Sequence, residues 1–121
     1  MAASTSTQVG YIISAKSTLT TALSSSLSSY ICYCQLPIGV YQFNCNISIP
    51  ASVSVATIYA SIYKDDIEIY GVNTPTTTLF NSLTFSFAYS NFSNNNFGIK
   101  CSCAPGNTNI AGAFIQAIRI A

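Results

Sequence analysis

An all-β sandwich of about eight short antiparallel strands is the fold this sequence predicts. Three observations predict it. Apolar and polar residues alternate over runs of six to twelve residues, the period of a strand with one buried face. Those runs return at the ~8–12-residue spacing of a sandwich or barrel. Aromatic residues are plentiful, with eight Tyr and seven Phe, and no segment demands a helix.

Residues 1–7 are small and polar and suit a flexible arm; the domain proper spans residues 8–121. Gln8 to Ser14 is the first strand candidate. Residues 15–29 are rich in Ser and Thr, with Leu19, Leu23 and Leu27 spaced by four. That spacing could mark a helical face, but Ser and Thr compete with a helical backbone, so short extended pieces or a loop are favoured. Tyr30–Leu36 and Val40–Ile49 are strands joined by Leu36-Pro37-Ile38-Gly39, where Pro fixes φ and Gly is permissive. Strand, tight turn, strand predicts a β-hairpin. In the second strand Tyr41, Phe43, Cys45, Ile47 and Ile49 share one face.

Pro50-Ala51-Ser52 breaks the run. Val53–Tyr63 follows, with Val53, Val55, Thr57, Tyr59 and Ser61 opposite Ala56, Ile58, Ala60 and Ile62. Lys64-Asp65-Asp66 is a solvated turn leading into Ile67–Val72, a second hairpin. Asn73–Thr78 is a loop. Leu79–Tyr89 sets Leu83, Phe85, Phe87 and Tyr89 against Ser82, Thr84, Ser86 and Ala88. Ser90–Asn96 is an Asn-rich loop. Phe97–Cys103 carries Phe97, Ile99, Cys101 and Cys103 on one face, and Ala104–Asn107 is a turn. Ile110–Ala121 is the last strand, and truncating it should damage the fold. Eight strands at this length suit a single jelly-roll β-sandwich. An immunoglobulin-like sandwich is the alternative, but its Cys…Trp…Cys signature is missing and there is no Trp.

At 121 residues one domain is expected. Only 6% of residues are charged, against about 25% in ordinary soluble domains. So weakly charged a surface favours association and points to an obligate oligomer or a member of a larger shell. The basic residues Lys16, Lys64, Lys100 and Arg119 are scattered. Neutralising phosphates needs several on one surface, so nucleic acid is not an expected partner. No apolar run reaches the ~18–20 residues of a membrane span, and the N-terminal residues lack the basic and apolar regions of a secretory leader.

The five cysteines, Cys32, Cys34, Cys45, Cys101 and Cys103, cannot all pair within one chain. The two Cys-x-Cys pairs fall inside strand-like alternation, and the chain has no His. Buried free thiols are the favoured reading, ahead of a disulfide between the 32/34 and 101/103 runs or a metal site. All five are expected to share a sheet face in the core.

Asp65, Asp66 and Glu68 could serve as an acid/base pair or a Ca²⁺ site, but a charged hairpin tip explains them. Without His the usual Ser–His–Asp and Cys–His arrangements are excluded, and three acids within four positions do not span a glycosidase cleft. No catalytic, metal or cofactor residue is assigned, and no cofactor is expected. Two glycosylation triplets occur, Asn46-Ile-Ser48 and Asn91-Phe-Ser93. Asn91 falls in a polar loop where a glycan could fit, but chance triplets are expected in so Ser- and Asn-rich a chain. The aromatic rings could stack sugars, but their alternation favours the core or a subunit interface.

Two segments carry a resemblance. Ile31-Cys32-Tyr33-Cys34-Gln35-Leu36-Pro37-Ile38-Gly39-Val40-Tyr41 resembles the strand, leucine-proline-x-glycine-x-aromatic, strand unit of small jelly-roll virion proteins. These are encoded by large DNA viruses of protists and algae (giant viruses) and by some phages. Ile115-Gln116-Ala117-Ile118-Arg119-Ile120-Ala121 looks like their closing strand, and Gln8-Val9-Gly10-Tyr11 like their opening one. The resemblance spans residues 8–121. It implies a minor capsid or capsid-decorating protein, related in shape to tumour-necrosis-factor-like and fibre-head trimers. Its expected partners are copies of itself in a homotrimer and other capsid proteins such as a major capsid protein. Its expected place is the virion capsid surface, after assembly in the host cytoplasm with thiols reduced. The family has no catalytic residues to carry over. The five cysteines and the absence of a long shaft depart from its pattern, which favours a capsid component over a free fibre. The alternative is a fibre-tip module that binds a host glycan or receptor.

Overall fold

A computed structural model describes residues 8–18, 20–26, 30–52, 56–105 and 108–121. The expected arm at 1–7 lies outside them, as do Leu19, Leu27, Val53 and Val55. The described chain is all-β and antiparallel, 70% strand with no helix. Among the described residues no helix is long and apolar enough to cross a membrane.

Ten strands form: β1 Ile12–Ser17, β2 Thr21–Leu23, β3 Cys32–Leu36, β4 Gly39–Ile49, β5 Thr57–Lys64, β6 Ile67–Pro75, β7 Asn81–Asn91, β8 Asn95–Ala104, β9 Thr108–Ile110 and β10 Gly112–Arg119. One four-stranded sheet has the order β1-β10-β4-β7 and the other β3-β8-β5-β6. β2 and β9 pair separately.

The sheets meet face to face over one core. From one sheet Tyr41, Phe43, Cys45, Ile47, Ile49 and Ile115 point inward; from the other come Leu36, Ile58, Ile62, Phe97 and Ile99. Phe43 touches Phe97 across the gap, with ring centroids 5.3 Å apart, and stacks on Phe87 of its own sheet at 4.8 Å. Burying such rings and aliphatic chains supplies roughly 1.5–3 kcal/mol apiece, the main drive for closing the two sheets. The alternations expected for 40–49, 79–89 and 97–103 are therefore core faces.

The hairpin expected for 30–49 does not form. β3 pairs with β8, whereas β4 pairs with β10 and β7. Leu36–Gly39 is instead a corner that carries the chain from one sheet to the other. Its carbonyls bond side chains rather than a neighbouring strand. Tyr41 Oη donates to Pro37 O at 3.1 Å. Asn91 Nδ2 donates to Leu36 O at 3.1 Å and Pro37 O at 3.0 Å. Arg119 Nη1 donates to Ile38 O. Pro37 has no N–H to offer a ladder. The second hairpin does form, β5 with β6, through Asp65 and Asp66 at φ 47° and 68°. Two central residues at positive φ match the twist of the flanking strands.

Several boundaries differ from expectation. β6 runs on to Pro75, through the start of the loop expected over Asn73–Thr78, and β7 begins at Asn81 rather than Leu79, which is exposed along with Phe80. The first strand starts at Ile12 rather than Gln8, because Gly10 turns the chain at φ 90° and Tyr11 N bonds Gln8 O at 3.2 Å. The last run breaks at Ala111, whose N–H is taken by Ser48 O. Asn91, expected in a loop, closes β7 and is buried.

Candidate functional site

All five cysteines are buried. Cys32, Cys34, Cys101 and Cys103 line the inner face of the β3-β8-β5-β6 sheet, as their i, i+2 spacing requires. Cys45 faces them from β4 of the opposite sheet, so the five do not share one face. Burial pushes the Cys32 and Cys34 thiols up to about 11 and those of Cys45 and Cys101 to about 12; neighbouring thiols add to the rise at Cys32, Cys45 and Cys101. Thiols held protonated are poor nucleophiles and poor ligands. Among the described residues no group of three or more His, Cys, Asp or Glu is arranged to hold a metal ion.

The glycosylation triplets have contrasting positions. Asn91 is 2% exposed and its Nδ2 is committed to the corner carbonyls and to Ser93 O at 2.6 Å. A glycan on that nitrogen is incompatible with the fold. Asn46 is partly exposed on the outer face of β4, and its Nδ2 donates to Thr84 Oγ1 at 2.9 Å.

The acids do different things. Asp65 accepts from Asn96 N at 3.0 Å and from Asn95 Nδ2. The backbone bond first, and then the side-chain one, holds its carboxyl below the usual range. Glu68 accepts from Ser61 Oγ at 2.5 Å. Asp66 anchors a cluster on the outer face of the β3-β8-β5-β6 sheet. It accepts from Tyr30 Oη at 2.7 Å, returns its own N–H to that oxygen at 3.0 Å, and lies 3.7 Å from Lys100 Nζ. The Lys100 ammonium sits over the rings of Tyr30 and Tyr63, 4.5 and 4.8 Å from their centroids. Gly98 makes room for this: a Cβ there would collide with the Tyr30 ring and the Cys32 carbonyl. Burial, and next the bond with Asp66, raises the Tyr30 phenol pKa. No spacing in the sequence flags this cluster, because Tyr30, Asp66 and Lys100 meet only through strand pairing.

Charge is therefore segregated. Of the seven charged residues, Lys64, Asp65, Asp66, Glu68 and Lys100 belong to β5, β6, β8 and the β5–β6 turn. The outer face of β1-β10-β4-β7 has only Lys16, in a row with Phe114, Asn46 and Thr84. Around it stand rows of small polar and apolar side chains: Ser14, Gln116, Asn44 and Ser86, then Ile12, Ile118, Gln42 and Ala88. A shallow groove of about 170 Å³ runs beside Lys16, Asn46, Ser48 and Phe114. At the end of the molecule where the corner and the β7–β8 loop lie, Ile38 and Phe92 are exposed by 60% and 80%. The chain matches no protein-family model and no curated protein.

Proposed function

We propose that this chain is a non-enzymatic structural protein of a virion, a capsid-decorating or minor capsid jelly roll that works as a homotrimer. The observation that carries the self-associating part of this reading is the segregation of charge. The outer face of one four-stranded sheet bears a single lysine among rows of Ser, Thr, Asn, Gln and apolar residues, and five of the seven charges lie on the other sheet or its β5–β6 turn. A face with one charge has few ions to strip of water when it meets a copy of itself, and its amides and hydroxyls can bond across the contact.

The jelly-roll reading is supported by the strand orders. With the short β2–β9 pair set aside, eight strands remain, and the chain passes between the sheets β1, β3, β4, β5–β6, β7, β8, β10. That alternation suits two interleaved Greek keys. The virion reading rests on the resemblance of the Leu36–Gly39 and Ile115–Ala121 segments to viral jelly rolls. In support, the two segments touch: Arg119 bonds Ile38 O, and Val40 N donates to Ala121 O at 3.0 Å. They behave as one interlocked unit.

One observation favours the alternative of glycan or receptor recognition. Tyr33 and Tyr59 are exposed by 65% and 44% on the charged sheet, the face a trimer would leave free. Mass spectrometry of purified particles tests the main reading, and absence of the protein from virions removes it. Light scattering tests the trimer, which a clean monomer would sink. Selective binding on a glycan array would move the assignment to the alternative.

A further inference from the structure

We propose that β7 is a self-recognition edge, along which two copies of the chain pair antiparallel about a two-fold axis through Ser86. This contact is separate from the three-fold one and does not depend on it.

The sheets end in four edge strands, β1, β7, β3 and β6. Folded proteins guard such edges with short strands, lysines, prolines or bulges, because an open ladder templates another chain. β1 has six residues with Lys16 among them, and β3 has five. β6 carries Glu68, ends in Pro75 and meets β5 across a register shift at Ile62/Tyr63. β7 has none of these. It runs eleven residues without a charge, a proline or a shift against β4. Among the described residues no strand pairs with its other side.

The core is also thin there. Leu83, Phe87 and Tyr89 of β7 and Ile69, Tyr70 and Val72 of β6 are only partly buried. Tyr70 stacks on Phe87 at 4.6 Å and on Phe85 at 5.8 Å along this open side. An added strand would cover that seam.

The sequence of the strand indicates which chain covers it. Asn81-Ser-Leu-Thr-Phe-Ser86-Phe-Ala-Tyr-Ser-Asn91 is nearly the same read in either direction. Antiparallel pairing centred on Ser86 sets Asn81 beside Asn91, Ser82 beside Ser90, Leu83 beside Tyr89 and Phe85 beside Phe87 of the second copy. Every inward apolar side chain then meets another, and every small outward one, Thr84 with Ala88 included, meets another small one. A two-fold contact needs this self-complementarity, whereas an unrelated extended peptide does not.

The test is light scattering on the full chain and on Ser86→Lys, Ser86→Glu and their equimolar mixture, with thermal melts confirming that each variant folds. The wild type should have an even number of subunits, two if the three-fold contact is absent and six if it is present. Each single variant places like charges opposite each other, so its dissociation constant should rise by roughly two- to fivefold, and at concentrations near the wild-type dissociation constant its mass should fall toward half. Mixing the two variants should restore the wild-type mass. A dimer that S86K splits into monomers would support the edge and remove the trimer. An odd-numbered or monomeric wild type, variants of unchanged mass, or no recovery on mixing would overturn the β7 contact. Recovery of wild-type mass only when a second protein is added would assign the edge to that partner and likewise overturn it.

Discussion

At the corner between the sheets, the Arg119 guanidinium occupies the space where a Cβ on residue 39 would go. A side chain at position 39 would thus have to displace a guanidinium from a residue eighty positions away, and with it the bond to Ile38 O. Gly39→Ala should cost about 1–3 kcal/mol. Part of that cost should disappear in an Arg119→Ala background, giving a measurable coupling in a urea double-mutant cycle. The thiols make a second prediction at this scale. In the fold the pKa values of Cys32, Cys34, Cys45 and Cys101, about 11–12, lie above the ordinary 9.0. Below pH 9 both states keep these protons, and stability does not depend on them. Above it the unfolded chain releases protons that the fold retains. Stability should therefore fall between about pH 9 and 12, each thiol contributing about 1.4 kcal/mol per unit. Urea midpoints at pH 7, 9 and 10 would show it, and a flat profile would contradict it. The same burial should leave native thiols silent to a disulfide reagent at pH 8 until the chain is unfolded.

Among the elements, β4 was the most legible. Its Tyr41, Phe43, Cys45, Ile47 and Ile49 face is buried as the alternation requires. Its neighbours were not legible. Period two says which face of a strand is buried but not which strand lies beside it, and the expected hairpin with β3 failed for that reason. Asn91 shows what decides the matter: its amide binds Leu36 O and Pro37 O and holds the corner closed from β7. Asn91→Ala should leave Leu36 O without this partner, while Pro37 O keeps Tyr41 Oη, and cost about 1–3 kcal/mol in chemical denaturation. The mass of protein from a glycosylating host should show no glycan at Asn91, since modification would require the same amide.

For the whole molecule, the low charge was visible in composition and the placement of charge was not. Lys100, Asp66 and Tyr30 come together from three separate strands or turns. That meeting leaves the opposite sheet face with Lys16 alone. If uncharged surfaces join the copies, association should be insensitive to salt. Raising NaCl from ~0.1 to ~1 M shortens the Debye length from about 10 to 3 Å and should leave the mass by light scattering unchanged. Dissociation at high salt would point to the charged sheet as the contact instead.

The sequence by itself determined that the chain is all-β, where most strands run, and which face is buried in those that alternate cleanly, such as β4 and β8. These are local properties, written in a two-residue period and in turn chemistry. It also supplied the burial of the thiols, because Cys-x-Cys inside an alternating run sends both side chains to one face. The tertiary structure alone decided the strand neighbours, the corner at Leu36–Gly39, the loss of Asn91 as a glycan site and the segregation of charge. Each of those depends on contacts between residues tens of positions apart, and pairing is set by the global packing of two sheets rather than by any local pattern.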